Sequence, residues 1–148
     1  MYNVLITSEY FGKFSGEAKQ LLLANGFSVT DNPYGHKFLT PEEIIPYAKH
    51  VDALICDLEK ITREVIDSAP NLKIISRRGV GTDSVDVAYA EKKNIAVART
   101  LGVVEPPVAE LVMAYILEFS RRISVLNQSM HAGRWERCQC HSVNGKTL

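Results

Sequence analysis

The sequence has no surplus of charge. Seventeen Lys and Arg are matched by seventeen Asp and Glu, so the formal net charge is zero. This excludes a chain-wide cationic field for nucleic acid or an anionic membrane surface, although a local patch remains allowed. Cysteine is scarce. Cys56, Cys138 and Cys140 do not make a disulfide framework, and they point to a reducing, cytoplasmic compartment. No apolar run approaches the roughly eighteen residues that span a bilayer. Met1-Tyr2-Asn3 leads straight into a strand, with no basic segment followed by an apolar signal core. Repeats and low-complexity tracts are missing too. What is present is a chain of 148 residues, 46% of them apolar, which is enough to build and bury a real core.

The apolar residues are organised in short blocks. Val4-Leu5-Ile6-Thr7, Phe27 to Thr30, Asp52 to Cys56, Leu72 to Ser76 and Ile95-Ala96-Val97 are rich in β-branched residues. They do not alternate with polar ones, which is how parallel strands buried on both faces read. Between them lie helical stretches with start and stop signals. Ser15 caps a helix that Gly26 ends. Thr40-Pro41-Glu42-Glu43 opens a second, kept short by Pro46. Thr62 caps a third that ends before Pro70-Asn71. A fourth runs from Asp86 to Asn94, with Asp83 or Ser84 as its cap. Five alternations predict an α/β fold: a flavodoxin-like or Rossmann-like parallel sheet with helices on both faces.

The last third differs. From Val108 to Leu126 apolar residues recur at helical spacing over about five turns, opened by Pro106 and Pro107. This predicts one long C-terminal helix that needs covering on more than one side. Gly133-Arg134-Trp135, a cysteine-bearing segment and Gly145-Lys146-Thr147-Leu148 follow.

Several segments together resemble the NAD-dependent D-2-hydroxyacid dehydrogenase family, with the phosphoglycerate dehydrogenase-like branch the nearest in look. They are Leu72 through Asp86 with Gly79-Val80-Gly81 at its centre, Asn94 to Val97, Val108-Ala109-Glu110-Leu111, Gly133-Arg134-Trp135 and Gly145 to Leu148. The resemblance implies a flavodoxin-like substrate domain over residues 1–102. Residues 103–148 would then hold the interdomain helix and the start of a dinucleotide-binding domain. It implies NAD as cofactor of the full-length enzyme, with the glycine fingerprint and the catalytic arginine, acid and histidine beyond residue 148. On that reading this chain is an amino-terminal part. It carries no catalytic residue and no cofactor-binding residue, and is inactive alone.

The candidate site follows. Gly79, Val80 and Gly81 sit just past a parallel strand, where successive amides suit an anion; the resemblance assigns them the substrate carboxylate. Alone, without an opposing arginine, they are expected to hold no measurable affinity. The plain alternative is a tight turn that needs glycine. Asp57 stands near a position where phosphoglycerate-type relatives carry an arginine, and an acid there repels a phosphate; its plain reading is a loop residue at a strand end. Thr100 and Gly102 match the relatives' next loop, whereas Val104 and Glu105 replace polar or small groups. Arg99 is a candidate substrate contact, or else a surface arginine. Cys138, Cys140 and His141 lack a fourth partner for a metal, unless His131 or His36 supplies one, so no metal site is assigned. His50 and His36 read as loop histidines, and Trp135 as a packing residue over the end of the long helix.

Two functions are carried forward. One is the substrate-binding portion of an oxidoreductase for a small 2-hydroxy or 2-keto acid, taking a small-molecule carboxylate and forming a homodimer through the long helix. The other is a non-catalytic homologue that serves as an interaction or assembly module. Nucleic acid and membrane are not expected as partners.

Overall fold

The computed structural model describes residues 1–35 and 37–147. His36, read above as a loop histidine, and Leu148, the last residue of the family-like closing motif, lie outside the described residues. By chain contacts the molecule divides into a unit from Met1 to Leu101 and a second from Gly102 onward.

In the first unit, strands and helices alternate as β1 (Asn3–Ile6), α1 (Glu17–Ala24), β2 (Ser28–Thr30), α2 (Pro41–Ala48), β3 (Ala53–Cys56), α3 (Arg63–Asp67), β4 (Ile74–Arg77), α4 (Val87–Lys92) and β5 (Ala96–Arg99). The strands form one parallel sheet in the order β2-β1-β3-β4-β5. Alternate residues of each strand feed opposite faces. Leu5, Leu54 and Ile75 join Ile44, Val65, Ile66 and Ala90 from α2, α3 and α4. Val4, Ile6 and Ile55 pack with Leu22 of α1, Phe11 and Phe27 on the other face. Each fully buried aliphatic side chain contributes about 1.5–3 kcal/mol, so this double-sided core dominates the stability of the unit.

The local signals act where the residues place them. Thr40 and Glu43 form a reciprocal capping box at the start of α2, and Pro46 is accommodated inside that helix rather than ending it. Ser15 Oγ accepts the Glu17 amide from just outside α1. Gly26, at φ +77°, takes the left-handed conformation that ends the helix. The cap of α4 is neither Asp83 nor Ser84 but Asp86, whose carboxylate accepts the Tyr89 amide at 3.0 Å.

In the second unit the expected long helix is broken. α5 (Glu105–Arg121) ends at Arg122, which adopts a left-handed conformation at φ 53°, and α6 (Ile123–His131) starts anew. The reason lies further along the chain. The carbonyls of Ser120 and Arg121 accept from the His141 amide at 2.9 Å and the Cys140 thiol at 3.2 Å. The Ser124 amide turns instead to the Glu118 carboxylate at 2.9 Å. With those carbonyls occupied, the ladder has no reason to continue. No residue of α5 is buried. Trp135 is 77% exposed, contrary to its reading as a packing residue.

Candidate functional site

In a parallel sheet the loops at the carboxyl ends of the strands form one edge, and ligands of open α/β sheets bind outside it. That edge here collects Ser8 after β1, Asp57 after β3, Arg78 and Gly79-Val80-Gly81 after β4, and Thr100 after β5. The strand order reverses between β1 and β3, and the polar cluster sits at that point.

Asp57 is the loop residue directly after β3, as read from the sequence, and it is buried there at 4% exposure. Its Oδ2 accepts from Ser8 Oγ at 2.5 Å, and Arg78 donates to both carboxylate oxygens, at 2.7 and 3.3 Å. Ser8 Oγ in turn accepts the amides of Tyr10 and Phe11. The acid is therefore neutralised by its own chain and presents no bare negative charge. The Asp57 amide donates to Glu59 Oε2 at 2.6 Å. Glu59 is 2% exposed, and its other carboxylate oxygen is buried without a hydrogen-bond partner. Burial pushes the Glu59 carboxyl above the ordinary range. Tyr10, Phe38, Asp57, Leu58, Arg77 and Arg78 line a small cavity of about 150 Å³, and the Arg78 guanidinium lies over the Tyr10 ring.

The loop after β4 is built around one strained position. Gly79 has φ +146°, and a Cβ there would enter the space of the Arg77 guanidinium, so the chain needs glycine at this residue. The Gly79 amide donates to the Arg77 carbonyl at 3.0 Å. Of the three candidate amides, this one is already committed. Among the described residues no acceptor is seated on the amides of Val80 or Gly81. Two bonds hold the loop from β5: Thr100 donates to the Gly79 carbonyl at 3.0 Å, and Arg99 Nη1 donates to the Val80 carbonyl at 3.4 Å. The structure thus brings Arg99 to the predicted glycine loop, where it acts as a brace.

The segment Gly79-Val80-Gly81-Thr82-Asp83-Ser84 does not fit a dinucleotide. Ser84 stands where a third glycine would be. The helix that follows has only six residues, and its Tyr89 amide is taken by the Asp86 carboxylate, itself paired with Arg63 at 2.8 Å. A pyrophosphate would meet a resident anion there. Glu105, noted as a departure, accepts the Gly102 amide and so helps start α5. Cys138 and Cys140 approach each other, but no cluster of three or more metal-ligating side chains exists among the described residues. None of the described helices is long and apolar enough to cross a membrane.

Sequence reasoning singled out Asp57 but missed Ser8, Arg78 and Glu59. The available signal was the pair Arg77-Arg78 directly after a buried strand, one of which must face the edge.

The chain itself belongs to a known family. Residues 4–142 match the catalytic domain of the D-isomer specific 2-hydroxyacid dehydrogenases, and the chain is a member of that family. It is 36% identical to hydroxypyruvate reductase of Thermotoga maritima over 134 residues, covering 89% of this chain and 41% of the relative. It is 38% identical to D-3-phosphoglycerate dehydrogenase of Methanocaldococcus jannaschii over 113 residues, covering 74% of this chain and 22% of that protein. Among solved structures it is similar to the NAD-dependent formate dehydrogenase of Staphylococcus aureus in complex with NAD. The TM-score there is 0.71, with 26% identity over 92% of this chain and 43% of the other. The chain thus spans less than half the length of the relatives it matches.

Proposed function

We propose that this chain is the substrate-binding portion of a nicotinamide-dependent oxidoreductase for a small 2-hydroxy or 2-keto acid. The observation that carries the proposal is the pair of unoccupied amides at Val80 and Gly81, in a glycine loop braced from β5. They take the substrate carboxylate as aligned backbone donors. The Arg78–Asp57 pair and Tyr10 border the space for the remainder of the substrate. Arg78 is already paired with Asp57, whereas Arg77, which lines the same cavity, has no carboxylate partner among the described residues and is the cation left for a second polar group of the substrate. The nicotinamide cofactor, which receives or gives the hydride, is held by a part of the enzyme other than these residues. In the complete enzyme these residues place the carboxylate, while the acid–base groups and the cofactor that the chemistry requires come from elsewhere in it. The three free thiols suit a cytoplasmic setting.

A second reading has its own supporting observation. Val108, Leu111, Tyr115 and Phe119 on α5 are all more than half exposed, an apolar face of the kind that marks association. In this reading the helix pairs with a second copy, in the enzyme or in a non-catalytic assembly module.

The test uses the product of the complete gene. Loss of NADH absorbance with glyoxylate or hydroxypyruvate as substrate is the expected result, with Gly81→Val raising KM far more than it lowers kcat. The 148-residue chain alone is expected to bind no NADH. Stoichiometric NADH binding by this chain refutes the assignment of the cofactor to another part. A complete gene product that is dimeric but turns over neither acid decides for the assembly module.

A further inference from the structure

Two of the three cysteines sit almost in contact. Cys56, the third, is fully buried at the end of β3, and burial pushes its thiol up to about 12, so it is inert. Cys138 and Cys140 are both half-buried, and their sulfurs lie 3.5 Å apart across the single intervening residue Gln139. The approach is held in place. The Cys140 thiol points at the Arg121 carbonyl at 3.2 Å, and the His141 amide donates to the Ser120 carbonyl at 2.9 Å. These bonds fasten the segment to the carbonyl end of α5. The hydrogen bond with Cys140 holds the Cys138 thiol above its ordinary range, while the positive charge of Arg122 works the other way. A raised thiol carries less thiolate, so its oxidation speeds up as pH rises, and it is the closeness of the two sulfurs that favours it.

The geometry points to Cys138 and Cys140 as an oxidisable dithiol that closes to an intrachain disulfide on meeting a peroxide. One thiolate attacks a peroxide oxygen; the O–O bond breaks, hydroxide leaves, and a sulfenic acid forms on that sulfur. The second sulfur gives up its proton and attacks the first. The S–S bond forms, the S–O bond breaks, and the departing hydroxide takes the proton to become water. In total two thiols and one hydrogen peroxide give one disulfide and two waters, with the sulfurs oxidised by two electrons and the peroxide reduced by two. Because the partner sulfur is already adjacent, closure outruns both further oxidation and linkage between copies. A ring spanning one intervening residue is short and strained, so a dithiol reductant reopens it readily. Closure also removes the Cys140 S–H from the Arg121 carbonyl, at the point where α5 breaks.

The test exposes the 148-residue chain to a small excess of hydrogen peroxide, followed by N-ethylmaleimide in denaturant, trypsin and mass measurement. Arg137 and Lys146 bracket both cysteines in one tryptic peptide. The expected result is that this peptide loses both maleimide adducts and is lighter by two hydrogens, while Cys56 remains fully labelled. Treatment with dithiothreitol before labelling restores both adducts. In Cys138→Ser and in Cys140→Ser the remaining thiol takes up oxygen or links two copies instead. The proposal is overturned if the wild-type pair carries added oxygen, joins two copies, or stays fully open to labelling.

Discussion

Replacing Asp57 by Asn tests whether the charge at the sheet edge is a buried structural pair or a solvated surface bridge. The substitution keeps the size and shape of the side chain. It removes the charge and one of two acceptor oxygens. In the native site both oxygens are used: Arg78 donates to each, and Ser8 to one. The Asn amide nitrogen must therefore face Arg78 or Ser8. Facing Ser8, it sets donor against the hydroxyl donor, and Ser8 Oγ, which already accepts two amides, has no lone pair left to accept from it. Facing Arg78, it opposes donor to donor. Hydrogen bonds to charged groups contribute about 1.5–3 kcal/mol, and breaking a fully buried pair costs about 3–5 kcal/mol. The Arg78 side chain is 45% exposed and regains water, so the cost lies near the low end, about 2 kcal/mol. For a unit of this size that corresponds to a fall in Tm of roughly 10 °C. Urea unfolding followed by circular dichroism reads it as a lower midpoint with unchanged slope. A double-mutant cycle with Arg78→Met isolates the pair and is expected to return about 1–2 kcal/mol of coupling. The variant also frees the guanidinium for an external anion, so inorganic phosphate raises its Tm more than that of the wild type. A coupling below about 0.5 kcal/mol with an unchanged midpoint, as exposed pairs give, refutes the reasoning.

Three further outcomes follow from named contacts. Gly79→Ala forces a side chain onto φ +146° and displaces the Arg77 guanidinium; the expected loss is about 1–3 kcal/mol in urea unfolding. The buried Glu59 carboxyl has a raised pKa, so the folded state holds its proton more tightly than the unfolded one. Its contribution is fully present below the ordinary Glu value of about 4.3 and is lost as pH rises through the raised folded value. Glu59→Gln removes that loss, so the variant gains on the wild type with rising pH; parallel pH–stability curves contradict this. Asp86→Ala removes the cap of α4 and the Arg63 pair and is expected to cost about 1 kcal/mol. Asp83→Ala, at a position that makes no cap, stays within about 0.5 kcal/mol by thermal unfolding.

What could be read from the residues was what depends on near neighbours. Val4-Leu5-Ile6 and Leu54-Ile55-Cys56 lack alternation because both faces are buried, and that single property identified parallel strands. The Thr40–Glu43 capping box and the stop at Gly26 are settled within four residues. The family-like Gly79-Val80-Gly81 was visible because glycine marks a backbone that no other residue tolerates. Features fixed across the sheet were hidden. The end of β5 lies two residues beyond its predicted limit because Arg77 pairs with Arg99 on the neighbouring strand. The break at Arg122 depends on Cys140 and His141, nearly twenty residues downstream, and the helical periodicity runs through it undisturbed.

The same distinction explains why the site was half legible. Three side chains at the polar centre of the edge are committed within the chain: Ser8 to the Asp57 carboxylate, Arg78 to the same carboxylate, and Arg99 to the Val80 carbonyl. None of these pairings leaves a trace in a linear sequence, since each joins loops from different strands. Among the groups left over are the amides of Val80 and Gly81, and an amide has no residue identity. A binding surface made of backbone donors appears in the sequence only through the glycine that allows its turn. The side chains around it then act as a frame rather than as the hook. Asp57 belongs to that frame. By pairing with Arg78 it neutralises that guanidinium and leaves Arg77 and Arg99 as the cations at the carboxyl ends of β4 and β5.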